Sequence, residues 1–80
     1  MSKELLAPLP GVFYRKPAPD KPAYKSEGDM VAVGDVVGLI EVMKSFIEVH
    51  ADASGKIVRF VVGDEEPIMA GQSLLEIEQA

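Results

Sequence analysis

Short runs of alternating or β-branched apolar residues, each bounded by Gly, Pro or Asp, recur along the chain of 80 residues. Such runs predict short strands. The predicted strands are Gly11 to Arg15, Val36 to Val42, Phe46 to Ala51, Lys56 to Val62 and Leu74 to Glu78. Gly or Pro interrupts helical spacing everywhere except for a frayed turn over Ser2 to Ala7. The pattern therefore predicts an all-β fold, and because a lone hairpin is unstable, a compact sandwich or barrel.

The chain contains an internal repeat. Residues Val33 to Glu41 align with Ala70 to Glu78 at an offset of 37, and the Gly and the final Ile-Glu coincide. Upstream, Pro10 to Arg15 align less closely with Ser54 to Arg59 at an offset of 44. Because the offset changes, we infer two related halves and an insertion in the first.

The insertion is rich in proline. Gly11 to Gly28 spans 17 residues and Gly55 to Gly63 spans 8, so we assign the surplus of nine to Lys16 to Tyr24. Its three prolines restrict the backbone and remove donors, which predicts a semi-rigid protruding loop. A tolerated surface insertion remains the alternative, since longer loops cost little free energy.

The repeat places Glu41 to Phe46 at the junction between the halves, where we expect a hairpin tip. A two-residue hairpin turn normally uses Asn-Gly or Asp-Gly, because both central residues need positive φ. This tip has Met43-Lys44 instead. The sequence therefore predicts either a functional tip that departs from the local rules or a longer, relaxed loop with one more solvated lysine.

Composition and charge exclude several classes of function. Apolar residues make up 48% of the chain and charged residues 26%, which is typical of a globular protein, and there is no cysteine for a disulfide or thiolate metal site. Residues 1–26 carry a net charge of +3 and residues 27–80 carry −8, so the acidic body disfavours nucleic acid. No apolar run is long enough to cross a membrane, and the N-terminus does not resemble a secretory signal, so we expect a cytoplasmic protein.

The sequence offers little support for a catalytic or metal-binding site. The single histidine, His50, lies in a strand pattern and is interpreted as a surface residue. Lys44 and Ser45 are neighbours whose side chains diverge on a strand, so they do not form a dyad. The carboxylates at 64–66 lack the alternating spacing of a calcium loop, and we expect a solvated turn and no metal site.

Two motifs resemble a known family. Glu41-Val42-Met43-Lys44 looks like the Glu-Ala-Met-Lys signature of biotinyl domains, and Ala53 to Ile57 is similar to the segment that follows it there. Gly11 to Asp20 resembles the Gly-Thr-Phe-Tyr-Arg-x-Pro-x-Pro-Asp segment of biotin carboxyl carriers of acetyl-CoA carboxylase. The resemblance covers about Leu9 to Glu78. It implies a flattened barrel-sandwich hybrid of two pseudo-symmetric antiparallel halves.

The resemblance also implies a domain organisation. A flexible segment over residues 1–8 would precede a biotinyl domain over residues 9–80. The insertion at residues 16–24 corresponds to the family's thumb, which folds over toward the biotin. Its expected thumb residues are Pro17, Ala18, Pro19, Asp20 and Lys21.

The implied function is that of a non-catalytic carrier. A biotin protein ligase would join biotin to Nζ of Lys44 and would read the tip residues Glu41, Val42, Met43 and Ser45. A biotin carboxylase and a carboxyltransferase would then load and unload a carboxyl group, with acetyl-CoA as the expected acceptor in fatty acid biosynthesis. This chain departs from the family at Ser45, where Met is usual, and at Val42, where Ala is usual.

Three alternatives stay open. The first is a lipoyl carrier of a 2-oxoacid dehydrogenase complex, which usually has Asp-Lys at the tip and lacks the Pro-rich insertion. The second is a carrier of another biotin-dependent carboxylase. The third is an unmodified structural domain of the same fold.

Overall fold

The strands of the computed structural model follow the predicted pattern and add three more. The structure describes residues 1–79, and no helix occurs among them. In chain order the strands are β1 (Ser2–Leu6), β2 (Gly11–Tyr14), β3 (Met30–Val31), β4 (Val36–Val42), β5 (Ser45–His50), β6 (Gly55–Phe60), β7 (Glu66–Ile68) and β8 (Ser73–Glu78). The all-β prediction is confirmed.

The strands form two four-stranded antiparallel sheets. One sheet has the order β1-β8-β6-β3 and the other has the order β5-β4-β2-β7. Position by position, β1 corresponds to β5, β8 to β4, β6 to β2 and β3 to β7. The two halves, β1 to β4 and β5 to β8, are thus related by a pseudo-twofold exchange, and each half contributes strands to both sheets. This confirms the prediction of a flattened sandwich built from two pseudo-symmetric halves.

Hydrogen bonds repeat with the strands. The N–H of Ala32 donates to a carboxylate oxygen of Asp35 at 2.9 Å. At an offset of 37, the N–H of Met69 donates to the amide oxygen of Gln72, also at 2.9 Å. Both bonds close the turn that precedes a central strand, β4 or β8. The repeat therefore encodes turn chemistry as well as apolar spacing.

The close approach of β2 to β4 is also repeated, between β6 and β8. A Cβ added to Gly11 would lie 2.5 Å from the carbonyl oxygen of Glu41, and one added to Gly55 would collide with the carbonyl oxygen of Glu78. Only glycine leaves room for the neighbouring backbone at these two positions.

The insertion is shorter than the sequence predicts. Gly28 has a φ of 92°, and the residue at an offset of 37 is Glu65, with a φ of 59°, rather than Gly63. Gly11 to Gly28 spans 17 residues, whereas Gly55 to Glu65 spans 10, so the surplus is seven residues and not nine. The matching turn was hidden because Glu65 occupies a conformation that usually selects glycine.

The N-terminus differs from the expectation of a frayed turn and a flexible segment over residues 1–8. Ser2–Leu6 is a strand that pairs antiparallel with β8, with Leu5 opposite Leu75. Leu5 is buried, and so is Ala7, whose N–H donates to the carbonyl oxygen of Gln72. The segment is therefore part of the sandwich.

The core lies between the sheets. Seven side chains are less than 2% exposed: Phe13, Val37, Ile40, Ile57, Leu74, Leu75 and Ile77. Alternation buries Ile57 and exposes its neighbours on β6, whereas β4 has four consecutive buried residues, Val37 to Ile40. Five of the seven lie on β4 and β8, which are inner strands of the two sheets, so these two strands contribute most of the core.

Candidate functional site

The hairpin between β4 and β5 has a loop of two residues. Val42 pairs with Ser45, which leaves Met43 and Lys44 as the loop. Their φ values are 50° and 68°, the left-handed conformation that a type I′ turn requires at both central positions. Because neither residue is Gly or Asn, the tip is locally strained, and the alternative of a longer, relaxed loop is wrong.

The tip projects its side chains outward. Met43 is 93% exposed, and Lys44 and Ser45 are also exposed. Val42 is half-buried and packs against the core, so it anchors the loop. Among the salt bridges within residues 1–79, none includes Lys44. The ammonium group is thus presented to solvent on a tight two-residue hairpin loop.

The Pro-rich insertion, here called the thumb (residues 16–24), is tied down at its base. The N–H of Tyr24 donates to the carbonyl oxygen of Arg15 at 3.0 Å, which closes the loop. The N–H of Arg15 donates to Oδ1 of Asp64 at 2.7 Å, and the Arg15 guanidinium lies 3.9 Å from the centre of the Phe60 ring. Asp64 was expected to be only a solvated turn residue, but it also holds the thumb in place.

The thumb forms one wall of a cavity of about 390 Å³. The lining residues are Tyr14, Lys16, Pro17, Ala18, Pro19, Phe46, Asp64 and Glu65. Three of the five predicted thumb residues therefore line it. Asp20 and Lys21 do not, because they lie in a turn closed by the N–H of Lys21 and the carbonyl oxygen of Ala18. Phe46, on the opposite wall, follows Lys44 by only two residues, so the cavity lies beside the tip.

Tyr14 connects the cavity to the hairpin. Its hydroxyl donates to Oε1 of Glu41 at 2.9 Å, and its ring meets Phe46 edge-on with centroids 5.8 Å apart. The Glu41 carboxylate that accepts this hydrogen bond raises the pKa of the Tyr14 phenol. Sequence reasoning did not assign Tyr14 or Phe46 to the site. The available signal was alternation on β2, which turns Tyr14 to the face opposite the buried Phe13.

Other candidate groups lie apart from this arrangement. His50 is exposed on β5, and its Nδ1 lies 2.8 Å from the carbonyl oxygen of Gly34, as expected of a surface strand residue. No group of three metal-binding side chains occurs in the described part of the chain. Residues 1–79 also include no helix that could span a bilayer.

Comparison with known proteins identifies the family. The biotin/lipoyl family model, described as biotin-requiring enzyme, matches residues 3–78. The chain belongs to this family. The match begins inside β1, in agreement with the strand found there. Biotin is covalently attached to carrier proteins of this biotin-requiring type.

Individual relatives point the same way. The chain is 37% identical over 75 residues to the biotin carboxyl carrier protein of acetyl-CoA carboxylase from Nostoc sp. strain PCC 7120, covering 94% of this chain and 41% of the relative. It is 42% identical over 74 residues to the chloroplastic biotin carboxyl carrier protein of acetyl-CoA carboxylase from Glycine max, covering 92% of this chain and 28% of that relative. The biotinyl-family chain thus spans less than half the length of these relatives.

A solved structure shares the fold. The urea carboxylase of Kluyveromyces lactis matches with a TM-score of 0.78 and 28% identity, over 98% of this chain and 6% of that protein. The biotinyl-family chain therefore corresponds to one small part of a large carboxylase.

Proposed function

We propose that Lys44 is the attachment point for biotin and that the domain carries a carboxyl group between the active sites of a carboxylase. The observation that carries this proposal is the tip. Lys44 occupies a two-residue turn with a positive φ of 68°, exposed and outside the salt bridges of residues 1–79. A strained turn that breaks local sequence rules is where function is expected.

The residues of the tip fit an amide-linked cofactor. A biotin protein ligase would form an amide between the carboxyl group of biotin and Nζ of Lys44, which removes the positive charge of the side chain. Because no salt bridge within residues 1–79 includes Lys44, the loss of this charge leaves no carboxylate without its partner. Bound biotin supplies the carboxyl-carrying chemistry. Lys44 itself is an attachment point and not a catalyst. The exposed side chains of Met43 and Ser45 are available for the ligase to read, and Val42 and Glu41 set the turn behind them.

The acceptor is proposed to be acetyl-CoA. The relatives named as carriers of acetyl-CoA carboxylase are 37% and 42% identical, compared with 28% for the urea carboxylase. A biotin carboxylase and an acetyl-CoA carboxyltransferase would therefore be the partners. Tethering the cofactor between them converts two bimolecular encounters into local searches at high effective concentration.

The thumb is proposed to cover the biotin rings. Support comes from its rigid base, its three prolines and the cavity of about 390 Å³ that it shares with Phe46. The carrier is also proposed to work in the cytoplasm without nucleic acid or membrane partners. The net charge of −8 over residues 27–80 supports the exclusion of nucleic acid, because it repels phosphate groups.

Intact-mass measurement after coexpression with a biotin protein ligase tests the proposal. We expect one biotin per chain, mapped to Lys44 among the six lysines. Lys44→Arg should fold normally and gain no biotin, whereas Lys56→Arg, on the exposed face of β6, should still be modified. Biotin on another lysine, or none with Lys44 intact, would overturn the assignment.

A further inference from the structure

Tyr14 contacts the residues on both sides of the tip. Glu41 and Phe46 face each other across the hairpin, one step inside the Val42 and Ser45 pair that closes the loop. The Tyr14 hydroxyl holds Glu41 at 2.9 Å, and the Tyr14 ring packs edge-on against Phe46 at 5.8 Å. One side chain on β2 therefore braces both arms of the β4–β5 hairpin.

The internal repeat supplies a comparison within the same molecule. Glu78 corresponds to Glu41, and Ser2, which pairs with Glu78, corresponds to Phe46, which pairs with Glu41. The register of β6 shifts between Ile57 and Arg59, so Arg59, opposite Glu76, takes the place of Tyr14, opposite Leu39. In that half Glu78 accepts hydrogen bonds from the Ser2 hydroxyl at 2.7 Å and from the Met1 ammonium at 3.2 Å, while Arg59 donates to Glu76 instead, and no aromatic pair occurs among these residues. The carboxylate is kept in both halves, while the aromatic brace is found beside Lys44. Its occurrence in this half points to a role at the tip rather than in the general architecture.

The strain of the tip explains why a brace is needed. Met43 and Lys44 both hold positive φ without the help of Gly or Asn, so the hairpin loop is disfavoured by local conformational energy. Contacts that fix the strands directly beneath the loop keep it in the two-residue form. Without them, the arms can separate and the loop can relax toward conformations with negative φ.

We propose that Tyr14 is a positioning residue for the modification of Lys44: its contacts with Glu41 and Phe46 hold the tip in the conformation that a biotin protein ligase recognises. This inference rests on the proposed function. A ligase that binds the tight turn meets a smaller competent population when the brace is weakened, and its apparent affinity falls by that fraction. Once bound, the same Nζ is presented, so the maximal rate is unchanged.

Ligase kinetics on Tyr14→Phe test the inference. This variant keeps the ring against Phe46 and loses only the hydrogen bond to Glu41. We expect KM for the carrier to rise by as much as about fivefold, the effect of one hydrogen bond, with kcat unchanged and Tm lowered by only a few degrees. Ser2→Ala is the matched control, because it removes a side-chain hydrogen bond to Glu78, the counterpart of Glu41 in the other half, and should leave KM unchanged.

A double-mutant cycle separates bracing from direct contact between Glu41 and the ligase. In a Glu41→Ala background, Tyr14→Phe should have no further effect on KM. In the unmodified carrier, Tyr14→Phe should also increase hydrogen exchange at the amides of Val42 and Ser45, the pair that closes the loop. Additive effects in the cycle, or an unchanged KM and unchanged exchange, would overturn the inference while leaving Lys44 as the site. If wild-type Lys44 gains no biotin, both the proposed function and this inference fail.

Discussion

Met43 and Lys44 place conformational strain in the two-residue loop of the β4–β5 hairpin. Both hold positive φ, at 50° and 68°, in a turn whose usual residues are Asn and Gly. The cost of placing such side chains in the left-handed region is roughly 1 kcal/mol or more per residue. The turn survives because the strands beneath it are fixed by cross-strand pairing and by the half-buried Val42. The proposed attachment site therefore lies where the backbone conformation lowers local stability.

Met43→Asn should stabilise the domain, because Asn tolerates the left-handed conformation at the first loop position. We expect a gain of about 0.5 to 1 kcal/mol, or a few degrees in Tm, measured by thermal unfolding. Biotinylation should become slower, because the ligase loses the exposed Met side chain. Met69→Asn is the control, since Met69 is 69% exposed and does not have positive φ. A loss of stability at position 43 would contradict the strain argument.

The thumb is an element added to one half of a repeated design. It spans residues 16–24, and seven of its residues have no counterpart in the second half. The ends lie together, because the N–H of Tyr24 donates to the carbonyl oxygen of Arg15. Since its tip residues are exposed, the thumb adds little to the core, and its position beside Phe46 is its main structural property.

Replacing residues 16–23 by Asn-Gly provides a sharp test of the thumb. The Arg15 to Tyr24 bond would then close an ordinary β-turn, so the fold should be kept and Tm should change by a few degrees, about 1 kcal/mol or less. Carboxyl transfer by the biotinylated domain should be impaired, and biotin-dependent NMR shifts at Tyr14 and Phe46 should disappear. Asp20→Asn, which lies outside the cavity lining, should behave as wild type. Equal transfer rates for the shortened and intact proteins would reduce the segment to a tolerated insertion.

At the scale of the whole molecule, neither half is a folding unit. Each sheet takes strands from both halves, and β1 is completed by pairing with β8 at the other end of the chain. The strand at the start of the described chain is therefore needed to complete the pairing of the strand near its end. This arrangement makes the stability of the sandwich depend on a segment whose sequence does not look structured.

Leu5→Ala should destabilise the domain by about 2 to 4 kcal/mol, because Leu5 is 5% exposed and its removal leaves a cavity beside Leu75. Leu6→Ala is the matched control, since Leu6 follows Leu5 on the same strand but is 51% exposed, and this substitution should cost less than about 1 kcal/mol. Urea unfolding of the two variants measures the difference. Equal midpoints would show that β1 does not contribute to the core.

The sequence by itself determined the all-β fold class, the internal repeat and the hairpin tip at Met43-Lys44. It also located five of the eight strands to within two residues at each end. These features depend on alternation, on Gly and Pro in turns and on a local motif, so they are readable within a window of a few residues. The position of Lys44 at the junction followed from the same alignment.

Only the tertiary structure decided which short segments pair and which side chains meet. Strands β3 and β7 have two and three residues, too few to show a period, and β1 is polar enough to look unstructured. The contacts of Tyr14 with Glu41 and Phe46 join residues 27 and 32 positions apart. Backbone hydrogen bonds and side-chain packing between sheets come from partners that are distant along the chain, and local sequence does not encode that distance.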